Sequence, residues 1–240
     1  MRVEILNCPI DTMDMNATIA LIDASIQKNN RIHHVVVNAA KLVNMRRDER
    51  LRDSVINCDI INPDGQSVVW AAKFLGKPLK ERVAGIDLMT ALVELARERK
   101  YKIFLLGAAE ETARAVAEKY GAEIVAGYRS GYWSETEAAA VVAQIAASRA
   151  QMLFVAVSSP KKEIFLNRYK DTIDVPFIMG VGGAFDVIAG KVKRAPRWMQ
   201  KSGFEWLYRI IQEPRRMWKR YLVTNSVFIY LVLKEKFARK

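Results

Sequence analysis

Short, uninterrupted apolar segments alternate with longer segments of helical periodicity along most of this chain of 240 residues. Ile103–Leu106 is one of the apolar segments, and residues 87–99 carry apolar side chains at the spacing of an amphipathic helix. Uninterrupted apolar strands are typical of parallel sheets covered on both faces, and their alternation with helices indicates right-handed crossovers. We therefore predict an α/β fold with a Rossmann-like, mostly parallel sheet that carries helices on both faces.

The same alternation predicts the individual elements. Strands are predicted at Val3–Leu6, Val35–Asn38, Ile60–Asn62, Lys102–Leu106, Glu123–Ala126, Met152–Val157 and Pro176–Met179. Helices are predicted at residues 14–28, 41–55, 66–75, 87–99, 110–120, 135–148, 161–170 and 184–190. Asp87 is expected to cap the helix that it begins, because a carboxylate at this position accepts hydrogen bonds from the first N–H groups.

The basic excess of the chain is concentrated near its end. The net charge is +12, from 38 Lys and Arg against 26 Asp and Glu; residues 1–190 contribute +1 and residues 191–240 contribute +11. A strong basic excess is typical of proteins that meet nucleic acid or an anionic membrane. We predict a Rossmann-like body at residues 1–196 and a basic helical appendage at residues 197–240.

The appendage carries two apolar helical patterns separated by Pro214. The second contains Leu222–Leu233, which at 12 residues is shorter than the roughly 20 apolar residues of a membrane span. Tryptophan and tyrosine beside lysine and arginine favour a helix that lies in the interface of an anionic membrane. A helical pair packed on its own body or on a second subunit is the alternative. Nucleic-acid binding is not expected, because the basic residues alternate with bulky aliphatic ones.

Cysteine and histidine are too scarce for a disulfide framework or a zinc site. The chain has only Cys8, Cys58, His33 and His34, so we predict no metal and a reducing, cytoplasmic location. The first residues, 1–6, include charged side chains within their apolar stretch, which argues against a signal peptide.

Small and polar residues follow the predicted strands, at the edge where such sheets bind ligands. Asp64, after one buried strand, is a candidate general base, although Pro63-Asp64-Gly65 is also a good turn and Asp64 could cap the next helix. The loop 180–183 reads Gly-Val-Gly-Gly and could bring backbone N–H groups to a phosphate; tight strand-to-helix packing is the alternative.

Two basic segments could also hold phosphates. The first, Pro160-Lys161-Lys162-Glu163, begins a predicted helix, where lysines could attract an anion or simply face solvent. The second, residues 191–197, carries two lysines and two arginines around Ala195-Pro196 and could be a phosphate clamp or an exposed turn.

Seven motifs taken together are similar to one family. In chain order they are Asn38-Ala39-Ala40-Lys41-Leu42-Val43, Pro63-Asp64-Gly65, Glu81-Arg82-Val83-Ala84-Gly85-Ile86-Asp87, Pro160-Lys161-Lys162-Glu163, Gly180-Val181-Gly182-Gly183-Ala184-Phe185-Asp186, Ala189-Gly190-Lys191-Val192-Lys193-Arg194-Ala195-Pro196 and Glu205-Trp206-Leu207-Tyr208-Arg209-Ile210-Ile211-Gln212-Glu213-Pro214. From about Val3 to Pro214, the chain resembles the WecG/TagA/CpsF glycosyltransferases, glycosyltransferase family 26.

The resemblance implies an inverting, metal-independent hexosyltransferase that uses no cofactor. Such an enzyme moves a hexose or an N-acetylhexosamine-type sugar from a UDP-sugar to a polyprenyl-diphosphate-linked saccharide in surface polysaccharide or exopolysaccharide biosynthesis. It also implies a Rossmann-like body and an appendage that attaches the protein peripherally to the inner face of the cell membrane. From the residues of the tail themselves, we expect no nucleic-acid partner and allow for a homo-oligomer in which the tail packs on a second subunit.

The resemblance also implies roles for individual residues. Asp64 matches the proposed general base and Arg82 matches an arginine of the active site. The residues expected to bind substrates are Asn38, Gly65, Gly107, Pro160, Lys162, Glu163, Gly182, Gly183, Asp186, Arg194, Arg209 and Arg216. In our interpretation of the chemistry, Arg82, a helix N-terminus and tail arginines such as Arg209 or Arg216 stabilise the departing diphosphate.

The chain departs from the family pattern at two positions. Val36 stands where members commonly have Thr, and Lys162 stands where they usually have Gln. If that Gln contacts the donor sugar in relatives, Lys162 would favour a donor with an anionic group. The departures also support an alternative function, a non-catalytic, membrane-associated subunit that binds a nucleotide sugar for another transferase.

Overall fold

Six parallel strands form the central sheet. The computed structural model describes residues 1–238, apart from the side chains of Lys201, Arg216 and Arg220. The strands of the sheet are β3 (Ile32–Val37), β4 (Ile60–Pro63), β5 (Ile103–Gly107), β6 (Val125–Arg129), β7 (Met152–Ala156) and β8 (Phe177–Gly180), in the spatial order β4-β3-β8-β7-β5-β6. The predicted fold class is confirmed.

Alternate side chains of each strand enter opposite faces of the sheet, as a strand's period of two requires. In β5, Ile103 and Leu105 join one core cluster, whereas Phe104 and Leu106 join another. All four are essentially inaccessible to solvent, so the strand is covered on both faces. This is why its sequence is an uninterrupted apolar run.

Helices connect the strands and cover both faces. They are α1 (Met15–Gln27), α2 (Ala39–Asn44), α3 (Glu49–Ile56), α4 (Gln66–Phe74), α5 (Gly85–Arg99), α6 (Glu110–Tyr120), α7 (Ala138–Ala147), α8 (Lys161–Tyr169), α9 (Ala184–Ile188), α10 (Arg197–Lys201), α11 (Glu205–Gln212) and α12 (Pro214–Ala238). A short 3-10 helix at Glu135–Glu137 precedes α7. The core clusters place α1, α5, α6 and α9 on one face, and α2, α3, α4, α7, α8 and α12 on the other.

Three local expectations were wrong. The predicted first strand is β1 (Arg2–Ile5), which pairs antiparallel with an unpredicted strand, β2 (Cys8–Asp11), instead of joining the sheet. The single helix predicted at residues 41–55 is divided into α2 and α3, because Asp48 accepts from the N–H of Leu51 and starts a new helix. Asp87 lies within the first turn of α5 and does not cap it.

The three C-terminal helices pack against the body. Phe228 and Val232 of α12 are buried in the same core cluster as Ile5 and Val35. Glu235 accepts hydrogen bonds from the N–H of Leu6 at 2.8 Å and from Lys77 at 2.6 Å. The boundary at residues 196 and 197 stays a prediction, but one face of α12 is covered by the body. In the described part of the chain, no helix is both long and apolar enough to cross a bilayer.

Candidate active site

A cavity of about 620 Å³ opens at the carboxyl edge of the sheet. The ends of β3, β4 and β8 form its floor, the start of α5 lies to one side, and helices α4, α11 and α12 form its outer walls. Parallel sheets bind ligands at this edge because the loops that follow the strands can vary without disturbing the core. The cavity is the candidate active site.

Asp64 lies on the floor of the cavity, immediately after β4. Its backbone N–H donates to the carbonyl of Val37 at 2.8 Å, and its Oδ1 accepts from the N–H of Gly85 at 3.0 Å. Burial raises the pKa of Asp64, and the carboxylate of Glu205 acts in the same direction, against the hydrogen bond from Gly85 and the charge of Arg82. A fixed carboxylate with a raised pKa is suited to accept a proton from a substrate. Asp64 does not cap α4, whose first residue follows Gly65.

Glu205, at the start of α11, joins two arginines of the cavity. Its Oε2 lies 3.2 Å from Nη1 of Arg82, and its Oε1 lies 3.9 Å from Nε of Arg194. Arg194 also makes a two-pronged ion pair with Asp87, at 2.5 and 2.8 Å. All these groups except Asp87 line the cavity. The network fixes two guanidinium groups near Asp64 and connects them to the C-terminal helices.

A buried charge cluster lies behind the floor. Glu163 Oε1 accepts from Nζ of Lys41 and from Nζ of Lys162, each at 2.7 Å, and all three side chains are at most 7% exposed. Burial alone would raise the pKa of Glu163, but the two lysines hold it down, to about 2. Burial and the charge of Lys41 lower the pKa of Lys162 to about 8, although Glu163 and Asp64 oppose the shift.

Gly180 makes room for this cluster at the end of β8. A Cβ atom at Gly180 would stand 2.9 Å from Cε of Lys162, closer than side chains allow. Lys162 therefore extends beneath the floor towards Glu163 and is not among the residues that line the cavity. This placement does not support a direct contact between Lys162 and a donor sugar in the cavity.

One end of the cavity is apolar. Trp70 and Phe74 of α4 face Ile229 and Leu233 of α12 across it, and these four side chains are 41–58% exposed. Trp70 and Phe74 could not be singled out from the sequence, because the residues opposite them in the cavity belong to α12, more than 150 residues later in the chain. Only the return of the C-terminal helix to the body brings the two pairs together.

The predicted site residues fall into two groups. Those that line the cavity are Asn38, Asp64, Gly65, Arg82, Gly183, Arg194 and Arg209. Those that lie outside its lining are Gly107, Pro160, Lys162, Glu163, Gly182 and Asp186. Arg216 belongs to α12, and its side chain is outside the described part of the structure.

Lys41 and Glu205 are site residues that the sequence did not mark as such. Lys41 is buried because its neighbours Leu42 and Val43 enter the core while its Nζ reaches Glu163, 122 residues away. The only local sign of a special role for Lys41 is its position within a short apolar helix, and this position does not identify its partner. Within the described residues, no group of three or more His, Cys, Asp or Glu side chains is placed to hold a metal ion.

Known proteins resemble the chain over most of its length. A family model for the "Glycosyl transferase WecG/TagA/CpsF family" matches residues 3–240. A protein of Bacillus spizizenii, N-acetylglucosaminyldiphosphoundecaprenol N-acetyl-beta-D-mannosaminyltransferase, is 38% identical over 186 residues, which cover 76% of this chain and 71% of the relative. The protein of the same name from Bacillus subtilis is 36% identical over 198 residues, covering 81% and 76%. With this agreement of motifs, sheet and cavity, the chain belongs to the WecG/TagA/CpsF family of glycosyltransferases.

Proposed function

We propose that the protein transfers a hexose or N-acetylhexosamine-type sugar from a UDP-sugar to a saccharide linked to a polyprenyl diphosphate. The names of the two Bacillus relatives support an acceptor of this kind, since both describe transfer to an N-acetylglucosaminyl-diphosphoundecaprenol. The observation that carries the proposal is the position of Asp64, a carboxylate with a raised pKa at the floor of a cavity with cationic walls.

The proposed reaction is a direct displacement with inversion at the anomeric carbon. Asp64 takes the proton of the acceptor hydroxyl while that oxygen forms the new bond to the anomeric carbon. The bond from that carbon to the UDP oxygen breaks on the opposite face, and UDP leaves with the electron pair. The proton ends on Asp64, so charge and atoms balance without a covalent enzyme intermediate.

The departing diphosphate gains negative charge, which the cationic side of the cavity is suited to stabilise. Arg82 and Arg194 are held there by Glu205, and Arg209 lines the same wall. Fixed guanidinium groups stabilise developing charge without needing to reorganise, which is the reason that we propose transfer without a metal ion.

We further propose that the protein reaches its acceptor from the inner face of the cell membrane. Leu222 and Tyr230 of α12 are about 60% exposed and do not line the cavity. Apolar side chains on an outward face beside a basic segment are suited to the interface of an anionic bilayer.

An assay of Asp64→Asn tests the proposed function. Purified protein is incubated with a panel of radiolabelled UDP-sugars and an N-acetylglucosaminyl-diphosphate lipid, and transfer to the lipid is counted. We expect Asp64→Asn to lower turnover by about 10²–10⁴-fold with UDP affinity retained, because an asparagine oxygen can still accept from the N–H of Gly85. Asp53→Asn, on the exposed face of α3, is the control. If the wild-type protein binds a UDP-sugar but transfers it to no lipid acceptor, the result would instead support the non-catalytic subunit. Full activity of Asp64→Asn would refute the assignment of Asp64 as the general base.

A further inference from the structure

The apolar end of the cavity is continuous with the candidate active site. Helix α4 starts beside the floor, where Gly65 packs near Asn38, and runs outward along the cavity. Phe74 is eight residues beyond Gln66, which is about 12 Å along the helix axis. A ligand with its reacting group at Asp64 that extends along α4 would therefore reach Trp70 and Phe74 with its far end.

We propose that this end, the apolar groove of Trp70, Phe74, Ile229 and Leu233, binds the first isoprene units of the acceptor's polyprenyl chain. The proposal rests on the proposed function for the identity of the acceptor. It adds a lipid subsite inside the enzyme, formed by residues other than Leu222 and Tyr230, which would meet the membrane.

The walls of the apolar groove are held in place from behind. The edge of the Trp70 ring packs so closely on Gly203 that a Cβ there would stand 2.8 Å from Cη2. Lys236 donates to the carbonyl of Phe74 at 2.8 Å, and its Nζ lies 5.4 Å from the centre of the Phe74 ring. A partly buried ion pair between Lys77 and Glu235 joins the segment that follows α4 to α12. The spacing between α4 and α12 is thus fixed, as a binding groove requires.

Charge complementarity identifies the occupant. The lining of this one cavity holds the carboxylate of Asp64, the four side chains of the apolar groove, and the cationic side chains of Arg82, Lys193, Arg194 and Arg209, with Glu205 as the acidic counterpart. A ligand that matches these surroundings combines a polar group, an anionic linker and an apolar chain. A saccharide joined through a diphosphate to an isoprenoid combines all three, whereas a nucleotide sugar offers no apolar segment to cover four exposed apolar side chains.

Binding of two small probes tests the apolar groove without any membrane. Farnesyl diphosphate and inorganic pyrophosphate are titrated into the full-length protein by calorimetry. We expect wild type to prefer farnesyl diphosphate by about tenfold or more, since covering apolar side chains adds affinity. Trp70→Ala/Phe74→Ala should abolish the preference while leaving pyrophosphate affinity within about twofold. Ile229→Ser/Leu233→Ser, on the opposite wall, should do the same.

Trp198→Ala is the matched control, because Trp198 is an exposed tryptophan outside the cavity lining. The proposal fails if the wild-type protein shows no preference for farnesyl diphosphate over pyrophosphate, or if both double variants keep that preference. It also fails if the double variants lower the affinity for both probes equally. A dimer seen by sedimentation that Trp70→Ala/Phe74→Ala dissociates, without any preference for farnesyl diphosphate, would assign the apolar groove to a second copy of the chain and also overturn the proposal.

The same protein separates this proposal from the proposed function. If the preference for farnesyl diphosphate depends on Trp70 but no sugar is transferred to any lipid-linked acceptor, the proposal for the apolar groove stands and the proposed enzymatic function is refuted. If sugar is transferred to a lipid-linked acceptor but farnesyl diphosphate is not preferred, the proposed function stands and the proposal for the apolar groove is refuted.

Discussion

Glu205 is the residue through which the C-terminal helices act on the candidate base. It belongs to α11, holds Arg82 by a hydrogen bond at 3.2 Å, and lies near enough to Asp64 for its charge to raise the pKa of that residue. Arg82 acts on Asp64 in the opposite direction. The protonation of the base therefore depends on a side chain outside the strand that positions the base.

We expect Glu205→Gln to shift the acid limb of the kcat/KM profile to lower pH. Removing a negative charge makes ionised Asp64 less costly, and it also leaves Arg82 free to favour that ionised form; both effects lower the pKa of Asp64. The measurement is kcat/KM against pH for wild type and Glu205→Gln. Asp174→Asn, whose exposed partner is Arg31, is the control and should leave the limb in place. A limb that stays fixed in Glu205→Gln, or moves to higher pH, would contradict the coupling.

The buried charge cluster predicts unequal effects of its acidic and basic members. Glu163→Gln leaves Lys41 and Lys162 buried without their shared carboxylate, so we expect it to lower the free energy of unfolding by about 3–5 kcal/mol. Lys162→Gln keeps the pair of Lys41 and Glu163 and removes an ammonium whose pKa burial lowers to about 8. We therefore expect Lys162→Gln to be at least as stable as wild type at pH 7. Urea denaturation measures both.

The pH dependence of stability provides a second check on this cluster. The pKa of Glu163 falls from 4.5 in its ordinary state to about 2 in the folded protein. The stabilising contribution of this lowered pKa is thus present above about pH 4.5 and lost as the pH falls towards 2. Glu163→Gln should lack that part of the acid dependence. Equal destabilisation by Glu163→Gln and Lys162→Gln would contradict the predicted difference between the acidic and basic members of the cluster.

The location of a site residue could be predicted from the sequence where the path of the backbone alone determines it. Asp64 follows a buried strand, and every parallel strand brings its following residue to the same edge. Lys41 and Glu205 could not be identified in this way, because their roles depend on partners more than 100 residues distant in sequence. Lys162 shows the same limit, since only the structure places it under Gly180 and behind the floor of the cavity.

Among the helices, α12 presents two apolar faces with different uses. Phe228 and Val232 are buried in the core, whereas Leu222 and Tyr230 are exposed and lie outside the lining of the cavity. Deleting all residues after Pro196 would remove the buried face together with the exposed one. Point variants on the exposed face are therefore the cleaner test of membrane association.

We expect Leu222→Glu/Tyr230→Glu to weaken binding to vesicles that contain anionic lipid by about tenfold or more. The change removes two apolar side chains from the interface and adds two negative charges beside anionic lipid. Vesicle flotation measures binding, and thermal unfolding checks that the fold is kept. Leu21→Glu, an exposed substitution on α1, is the control for an added charge. Undiminished flotation of the double variant would locate any membrane contact elsewhere.

Helices and strands were predictable where the apolar pattern is long, and unpredictable where a turn interrupts it. Helices α5 and α6 lie close to their predicted positions because both have a regular apolar stripe. Strand β2 was missed because Cys8–Asp11 has four residues and contains a proline, which gives no strand pattern. The docking of α12 could not be predicted either, since its apolar residues fit a membrane interface and a protein core equally well.

At the scale of the whole molecule, charge and chemistry occupy different parts of the chain. The last fifth carries +11 of the net +12, yet the candidate base belongs to the nearly neutral body. The structure connects the two through Glu205 and the walls of the cavity. An uneven distribution of charge was visible in the sequence, but its physical connection to the active site was not.

The hydrogen bond between Leu6 and Glu235 links residues 229 positions apart in sequence. A ribosome adding 5–20 residues per second needs about 10–50 s to make the intervening chain. During that interval the hairpin of β1 and β2 lacks the helix that covers it, and the cavity lacks one wall. We therefore expect nascent and prematurely terminated chains to display an uncovered apolar surface of the kind that chaperones bind, before any substrate could be held.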